Sequence, residues 1–407
     1  MQFDFETILD RHGKDALAVD GLGAVPNFTP APPEKDFDSI PMWVADMSFK
    51  TAPAIIDALS RRLQHPLFGY FSLSEEYFQS IINWHKRRND IQDLKAEHIG
   101  YENGVLGGII SALNVLCSKG DNVLVHSPTY IGFKMTLENN GYKLIHSPLI
   151  FDEDKIWRMD FADMERKIVE NKIHAAIFCS PHNPCGRVWE RWEIEQAMNL
   201  FKKYEVFVIS DEIWSDLIFS GKKHIPTQQV NEYAHEHTAA FYAPSKTFNL
   251  AGLVGSYHVI YNRWLRERVE KESSLTHYNA ANVFSMHALI GGYSAEGENW
   301  LNELNQVLEK NTSYAYDHIQ KNYHGVKVCK PEGTYMIFLD CEEFCKEKNI
   351  SQEEILKLGW AKGVTWHDGK LFNSPYGLRM SLAIPFRQVQ EAFNRMDKFI
   401  FGLEFLK

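Results

Sequence analysis

Residues 239–249 read Ala-Ala-Phe-Tyr-Ala-Pro-Ser-Lys-Thr-Phe-Asn, an apolar run that leads into hydroxyl groups and a lysine. The run Ala239–Tyr242 has the length and composition of a strand that is buried on both faces. A lysine in a loop is usually a solvated surface charge. Lys246 instead follows a predicted buried strand, and α/β proteins bind their ligands at the carboxyl ends of such strands. The stretch therefore predicts both a sheet and a functional lysine at its edge.

Similar short apolar runs occur upstream, and they alternate with helical stretches. The predicted strands are Asn122–His126, Lys143–His146, Ala175–Cys179 and Val206–Ser210. Alternation of buried strands with helices is typical of a doubly wound α/β domain with a mostly parallel sheet.

The order of elements changes after about residue 285. We predict helices at 299–323, 351–361 and 386–399 and strands at 333–340 and 378–384, which together indicate a smaller α+β domain. Prolines between residues 26 and 41 break any periodicity, so the first part is an extended arm. The predicted organisation is an arm at 1–48 that packs with the small domain, a large domain at 49–288 and a small domain at 289–407.

Composition excludes several classes of function. The formal net charge of −10 repels phosphate backbones and anionic membranes, so we expect neither a nucleic-acid nor a membrane partner. The six cysteines form no C-x-x-C pair, so neither a disulfide framework nor a metal site is expected. The N-terminal residues lack the basic start and apolar run of a signal peptide, and no apolar stretch approaches the ~20 residues of a membrane span. We expect a cytoplasmic protein.

Functional side chains follow the predicted strand ends. Tyr130, Asn183, Asp211 and Lys246 each come shortly after a strand, and the turn Gly104–Gly108 precedes a helix whose free N–H groups suit an anion. Together they provide an aromatic ring, an amide, a carboxylate, a lysine and an anion site.

Pyridoxal 5′-phosphate requires a set of this kind. Its phosphate suits a helix N-terminus, and its aldehyde forms a Schiff base with a lysine. Its pyridine nitrogen needs a carboxylate so that the ring stays protonated and accepts electrons. We therefore predict that this cofactor is bound, with Lys246 as the Schiff-base lysine.

Six motifs also carry a resemblance to a known family. They are Trp43-Val-Ala-Asp-Met47, Phe68-Gly-Tyr70, Asn183-Pro-Cys-Gly186, Asp211-Glu-Ile213, Ser245-Lys-Thr-Phe248 and Leu378-Arg-Met380. The last four resemble the fold-type-I pyridoxal-phosphate enzymes of the class I/II aminotransferases. The first two resemble the cystathionine β-lyase (C–S lyase) branch of MalY/PatB type. The resemblance covers nearly the whole chain and implies the aspartate-aminotransferase-like fold.

The resemblance implies a role for each matching residue. Cofactor contacts are implied for Tyr70, Val105, Leu106, Tyr130, Asn183, Asp211, Trp214, Ser245 and Lys246, and substrate contacts for Val44, Ala45, Asn183 and Arg379. Lys246 would also shuttle the Cα proton, Asp211 would pair with the pyridinium nitrogen, and Arg379 would clamp the substrate carboxylate. Tyr70 would reach in from the other subunit of a homodimer whose active sites lie at the interface. Trp214 stands where relatives usually have Tyr or His.

The implied function is β-elimination from a small sulfur-bearing amino acid, giving pyruvate, ammonia and a thiol. An aminotransferase of small L-amino acids uses the same residues and stays open, as do a racemase and a non-catalytic regulator on this fold. Each residue alone also has an ordinary interpretation: Asp211 as a helix cap, Asn183 as a turn residue, Tyr130 as core and Arg379 as half of an ion pair.

Overall fold

A computed structural model describes residues 1–275 and 279–402 of the 407-residue chain. Its α-helices are Leu17–Asp20, Pro53–Leu63, Glu75–Arg88, Val105–Leu116, Ile131–Asn139, Phe161–Asn171, Arg191–Lys203, Glu232–His237, Pro244–Thr247, Arg263–Ser274, Val283–Gly292, Ala295–Asn322, Glu342–Lys348, Gln352–Ala361 and Phe386–Met396. Within the described ranges, no helix is long and apolar enough to cross a membrane.

A seven-stranded sheet forms the centre of the molecule. Its strands, in spatial order, are Ile99–Asn103, Gly255–Val259, Thr238–Tyr242, Phe207–Asp211, Ala175–Cys179, Asn122–Ser127 and Lys143–Pro148. The last five are parallel to one another, whereas Gly255–Val259 runs antiparallel to both of its neighbours. The predicted α/β class and the five predicted strands are confirmed, with ends that differ by at most two residues.

The strands Ile99–Asn103 and Gly255–Val259 were not predicted, and a buried polar pair explains why. Glu102 and His258 lie on these adjacent strands, are almost fully buried, and form a hydrogen bond of 2.8 Å between Oε1 and Nδ1. A charged residue inside a short apolar run prevents the run from being recognised as a strand by its apolar residues alone. The partner of that charged residue lies more than 150 residues away in the sequence.

A second, four-stranded antiparallel sheet lies in the C-terminal part. Its strands, in order, are Lys327–Val328, Met336–Asp340, Gly377–Ser381 and His367–Asp368. The predicted strands at 333–340 and 378–384 were too long: the first begins at Met336, after Thr334 with a φ of +66°, and the second ends at Ser381. The turn expected at Gly104–Gly108 is shorter than predicted, because the helix that follows it already begins at Val105 and includes Gly107 and Gly108.

The first 48 residues contact two parts of the molecule. Ile40–Pro41 pairs in parallel with Val364–Thr365, and Ile40 joins the apolar cluster around the four-stranded sheet. Phe5 packs instead against Phe49 and Trp300 in the cluster around the seven-stranded sheet. The arm also contains the short helix Leu17–Asp20, so it is less extended than expected. The domain boundaries remain predictions.

The helix Ala295–Asn322 connects the two clusters. Leu301 and Leu308 in its first half belong to the cluster of the large sheet, and Ala315 and Ile319 in its second half belong to that of the small sheet. Between them, the buried amide of Asn311 donates 2.8 Å hydrogen bonds to the carbonyl oxygens of Leu382 and Ile384.

Replacing Asn311 with Leu should destabilise the protein by about 1–3 kcal/mol, because two buried carbonyl groups lose their donor. The measurement is the free energy of unfolding in urea. Asn302→Leu, which removes only an exposed contact with Arg88, is the matched control and should change stability by less than about 0.5 kcal/mol. Equal losses in the two variants would contradict the role of the buried amide.

Candidate active site

The carboxyl ends of the parallel strands bring the predicted residues to one edge of the sheet. Asp211 ends the strand Phe207–Asp211 and lies opposite Cys179 and Phe241 on the neighbouring strands. Lys246 follows Thr238–Tyr242 in the helix Pro244–Thr247, whose proline occupies the first position, where its missing N–H is tolerated. A cavity of about 760 Å³ lies over this edge and is lined by Val44, Ala45, Tyr130, Lys246 and Arg379 among others.

The amine of Lys246 is fixed against the N-terminal segment. Its Nζ donates a 3.0 Å hydrogen bond to the carbonyl oxygen of Ala45 and lies 5.9 Å from the centroid of the Trp214 ring. Three residues on, the side chain of Asn249 bonds to both the N–H and the carbonyl of Met47, at 3.1 and 3.0 Å. Burial and the nearby Arg379 guanidinium lower the pKa of Lys246 to about 8, so the neutral, nucleophilic amine becomes accessible near physiological pH.

Asp211 is a buried acid without a cationic partner. Its side chain is 4% exposed and accepts a 3.1 Å hydrogen bond from the N–H of Ile213. No Lys, Arg or His lies within ion-pairing distance of it in the part of the chain that the structure describes. Burial raises the pKa of Asp211 to about 7, while the charge of Lys246 opposes the shift. A carboxyl group in this state is suited to a cationic N–H donor supplied by a ligand.

Arg379 is a buried cation held by neutral groups. The residue is 3% exposed, and its Nη2 donates to the carbonyl oxygen of Trp43 at 2.6 Å. Its Nη1 lies 3.5 Å from Oδ1 of Asn183, and its guanidinium lies 4.6 Å from the centroid of the Phe372 ring. Its Nε has no hydrogen-bond partner, and no carboxylate of the described residues pairs with it. Since a buried charge is costly unless it is paired, this guanidinium is poised for an anionic ligand.

His367 completes the surroundings of Arg379. Its Nδ1 lies 3.5 Å from Nη2 of Arg379, and its Nε2 lies 3.3 Å from the carbonyl oxygen of Phe28. Burial and the adjacent guanidinium lower the pKa of His367 to about 3, so the imidazole stays neutral. It therefore adds no second positive charge beside Arg379.

The loop that carries Asn183 is anchored by a buried ion cluster. Arg187 is fully buried and pairs with Glu193 at 2.5 Å and with Glu332, whose carboxylate also accepts the N–H of Val188 at 3.1 Å. Gly186 has a φ of +67°, and a Cβ there would lie 2.9 Å from Pro331, so the turn requires glycine. These contacts hold Asn183 beside Arg379.

The predicted anion site at Val105 and Leu106 and the predicted aromatic ring of Tyr130 lie at the same edge of the sheet. Val105 and Leu106 open the helix Val105–Leu116, whose first N–H groups have no partner within the helix. Val105 packs in one apolar cluster with Ala243, which precedes the helix of Lys246 and Ser245. The ring of Tyr130 folds over Gly132, where a Cβ would come within 2.3 Å of it.

Among the predicted site residues, Val44, Ala45, Tyr130, Lys246 and Arg379 line this cavity, whereas Tyr70, Val105, Leu106, Asn183, Asp211, Trp214 and Ser245 do not. Tyr70 lines a different cavity together with Gly100 and Tyr101. It is fully exposed. Residues that sequence reasoning missed also line the cavity of Lys246: Arg11, Phe28, Asp46, Asn249 and His367. Asp46 lies within the motif Trp43–Met47, and Asn249 directly follows the motif Ser245–Phe248. Arg11, Phe28 and His367 lie in none of the six motifs.

Comparison with known proteins shows which family and which solved structures this chain is similar to. The family model described as aminotransferase class I and II matches residues 39–396. Cystathionine β-lyase PatB of Bacillus subtilis (strain 168) is 34% identical over 325 residues, covering 79% of this chain and 82% of that protein. Protein MalY of Escherichia coli (strain K12) is 28% identical over 356 residues, covering 87% of this chain and 88% of that protein. The PLP-bound C-S lyase of Staphylococcus hominis superposes with a TM-score of 0.87 at 30% identity, covering 98% of each chain.

Competitive labelling of Lys246 with acetic anhydride across pH should give a midpoint near pH 8, against ~10.4 for a free lysine side chain. The experiment uses apoprotein and follows the modified peptide by mass spectrometry, with rates normalised to the unfolded chain. Arg379→Met should raise the midpoint, because it removes a like charge. Asp211→Asn should lower it, because it removes an opposite charge. A midpoint equal to that of the unfolded chain would contradict this environment.

Proposed function

Because this chain belongs to the aminotransferase class I and II family, we propose that it is a pyridoxal-phosphate-dependent carbon–sulfur β-lyase. The reaction would convert a sulfur-bearing L-amino acid into pyruvate, ammonia and a thiol. The observation that carries the proposal is the position of three side chains: Lys246 and Arg379 line one cavity, and Asp211 lies buried and without a cationic partner at the same edge of the sheet. The lyase names of PatB and of the Staphylococcus hominis enzyme support the choice of reaction.

The residues present fit pyridoxal phosphate. Asp211 is buried, lacks a cationic partner, and would regain its charge beside a protonated ring nitrogen. Lys246 would hold the cofactor covalently, Tyr130 would stack on the ring, and Asn183 would bind the ring oxygen. The phosphate would lie against Val105, Leu106 and Ser245, with Trp214 at the side of the ring. When bound, the cofactor supplies a ring that accepts the electrons released at Cα.

Arg379 and Lys246 would act on different parts of the substrate. The guanidinium of Arg379 would bind the α-carboxylate in bidentate fashion, with Asn183 beside it and with Val44 and Ala45 forming the adjacent wall. This contact orients the substrate so that its Cα–H faces the amine of Lys246. Burial and Arg379 lower the pKa of that amine, which favours the neutral form that would accept the Cα proton.

An aminotransferase is the second candidate, because the family that matches is named for that reaction. It would use the same residues, with Lys246 returning the proton to the cofactor side. A racemase would share the first proton transfer. A non-catalytic regulator is disfavoured, because the buried Arg379 and the lowered pKa of Lys246 are costly features for a protein without chemistry.

The proposal includes a homodimer. Leu67 and Phe68 are 67% and 54% exposed, beside the fully exposed Tyr70, and such an apolar segment is typical of a protein interface. Tyr70 would then reach the cofactor phosphate of the second subunit. Residence in the cytoplasm remains a prediction.

The holoenzyme should release pyruvate catalytically from L-cystathionine or L-cysteine without any keto acid. The measurement is pyruvate by coupled lactate dehydrogenase, with thiol or sulfide measured in parallel. A single turnover that resumes only when a keto acid is added would contradict the lyase and establish the aminotransferase.

Replacing Lys246 with Ala should lower kcat by at least about 10³-fold, and Asp211→Asn should lower it by about 10²-fold, because each removes a group that positions or moves a proton. Steady-state kinetics in saturating cofactor provide the test. Lys50→Ala, which removes only an exposed ion pair with Asp4, is the control and should keep full activity. Near-normal turnover by the Lys246→Ala variant would contradict the assignment.

A further inference from the structure

Glu212 is a buried acid that the proposed function does not use. It directly follows Asp211, the last residue of the strand Phe207–Asp211, and its side chain is fully buried. Two adjacent carboxyl groups inside a protein are costly, because burial and mutual repulsion both disfavour their charged forms. The two acids have different surroundings, and the difference indicates a role for Glu212.

Four donors hold the carboxylate of Glu212. Its Oε2 accepts hydrogen bonds of 2.7 Å from Nε2 of His224 and from the hydroxyl of Tyr242. Its Oε1 accepts bonds of 3.0 Å from the hydroxyl of Ser210 and from the N–H of Thr227. None of these donors needs a charge, because a neutral imidazole can carry its proton on Nε2. Burial raises the pKa of Glu212, but the contacts with these partners outweigh burial and lower the pKa overall, so the carboxylate is ionised near neutral pH.

Asp211 has the opposite surroundings. Its carboxyl group accepts a 3.1 Å hydrogen bond from the N–H of Ile213, and burial raises its pKa to about 7, with the charge of Glu212 adding to the rise. The negative charge of Glu212 therefore acts on Asp211. A protonated ring nitrogen beside Asp211 would interact with the same charge favourably, because its sign is opposite.

Glu212 also connects the strand of Asp211 with the neighbouring strand that precedes Lys246. Its backbone N–H donates to the carbonyl oxygen of Phe241 at 2.9 Å, and its carboxylate accepts from Tyr242, the next residue of that strand. Backbone and side chain thus hold Glu212 at two successive residues. Its charge therefore has a fixed position relative to both ends of the site.

We propose that Glu212 is a positioning residue for the cofactor: its fixed negative charge, next to Asp211, strengthens the pair that Asp211 forms with the protonated ring nitrogen of pyridoxal phosphate. The inference rests on the cofactor of the proposed function and not on the choice between lyase and aminotransferase, because both reactions use the protonated ring. Glu212 does not line the cavity of Lys246, so its effect passes through Asp211.

The test measures the affinity of the full-length apoprotein for two cofactors at about pH 8.5, where a free imidazole is neutral. One is pyridoxal 5′-phosphate, and the other is its 1-deaza analogue, in which a C–H group replaces the ring nitrogen. Both keep the aldehyde and the phosphate, so only the pair with Asp211 differs between them. Titrations followed by absorbance and tryptophan fluorescence give the dissociation constants.

Glu212→Gln should raise the dissociation constant of pyridoxal phosphate by about tenfold, the order expected when one partly screened charge is removed. It should change that of the 1-deaza analogue by less than about threefold. The amide oxygen of the glutamine can still accept from Ser210 and Thr227, and its N–H₂ group can donate to the hydroxyl of Tyr242, so the fold is retained. Glu212→Asp keeps the charge and should recover part of the affinity for pyridoxal phosphate.

Glu102→Gln is the matched control. Glu102 is also fully buried and also bonded to a histidine, at 2.8 Å from Nδ1 of His258, but two other strands separate its strand from that of Asp211. This variant should change the two dissociation constants by the same factor. Tyr242→Phe keeps the charge of Glu212 and removes one donor, so the ratio of the two constants should stay within about threefold of the native ratio.

The ratio of the two constants separates a charge effect from a folding defect, because partial unfolding weakens both cofactors alike. Equal losses for the two cofactors in Glu212→Gln, or no loss for either, would overturn the inference. Equal affinities in the native apoprotein would also overturn it, since Asp211 would then gain nothing from the ring nitrogen. A selective loss for pyridoxal phosphate in a protein that releases no pyruvate would support the inference and overturn the β-lyase function. Binding of neither cofactor by the native apoprotein would overturn both.

Discussion

The arrangement of the site depends on one positive charge that the protein does not neutralise. Removing a guanidinium from water is costly, and proteins normally offset the cost with a carboxylate. Around Arg379 the structure supplies a carbonyl oxygen, an amide oxygen, an aromatic face and a neutral imidazole instead. Burial and this same charge lower the pKa of Lys246 and of His367, burial being the larger cause. Anion binding, amine reactivity and the neutral state of the histidine are therefore linked through one buried guanidinium.

The second organising feature is the backbone segment of residues 43–48. The carbonyl of Ala45 accepts hydrogen bonds from both Lys246 and the Tyr335 hydroxyl, and Asn249 holds Met47 from both sides. The segment therefore links the lysine after the seven-stranded sheet to the arginine in the four-stranded one. The polar contacts at residues 43–48 fix the geometry of this link, because each hydrogen bond requires its donor and its acceptor to stay in place.

Much of this organisation was accessible from sequence. Five buried strands showed as apolar runs, and the parallel connection placed Asp211 and Lys246 at one edge. The neutral surroundings of Arg379 could not be predicted, because Trp43 and Asn183 lie 336 and 196 residues away in the sequence and no sequence pattern marks the nearer His367 and Phe372. Arg11 was missed for a similar reason: its partner Asp46 lies 35 residues away, and no periodicity marks it. The strands that contain Glu102 and His258 were not predicted, because each of these residues looks unsuited to a buried strand until its hydrogen bond to the other is known.

The helix Ala295–Asn322 has a mechanical consequence. At 1.5 Å per residue it is a rod of about 42 Å, stiff along its length. Its first half is embedded in the packing of one sheet and its second half in that of the other. Sliding one sheet past the other would strip side chains from both packings. The four-stranded sheet, with Arg379 on it, therefore keeps a fixed offset along this rod from the seven-stranded sheet that ends in Asp211.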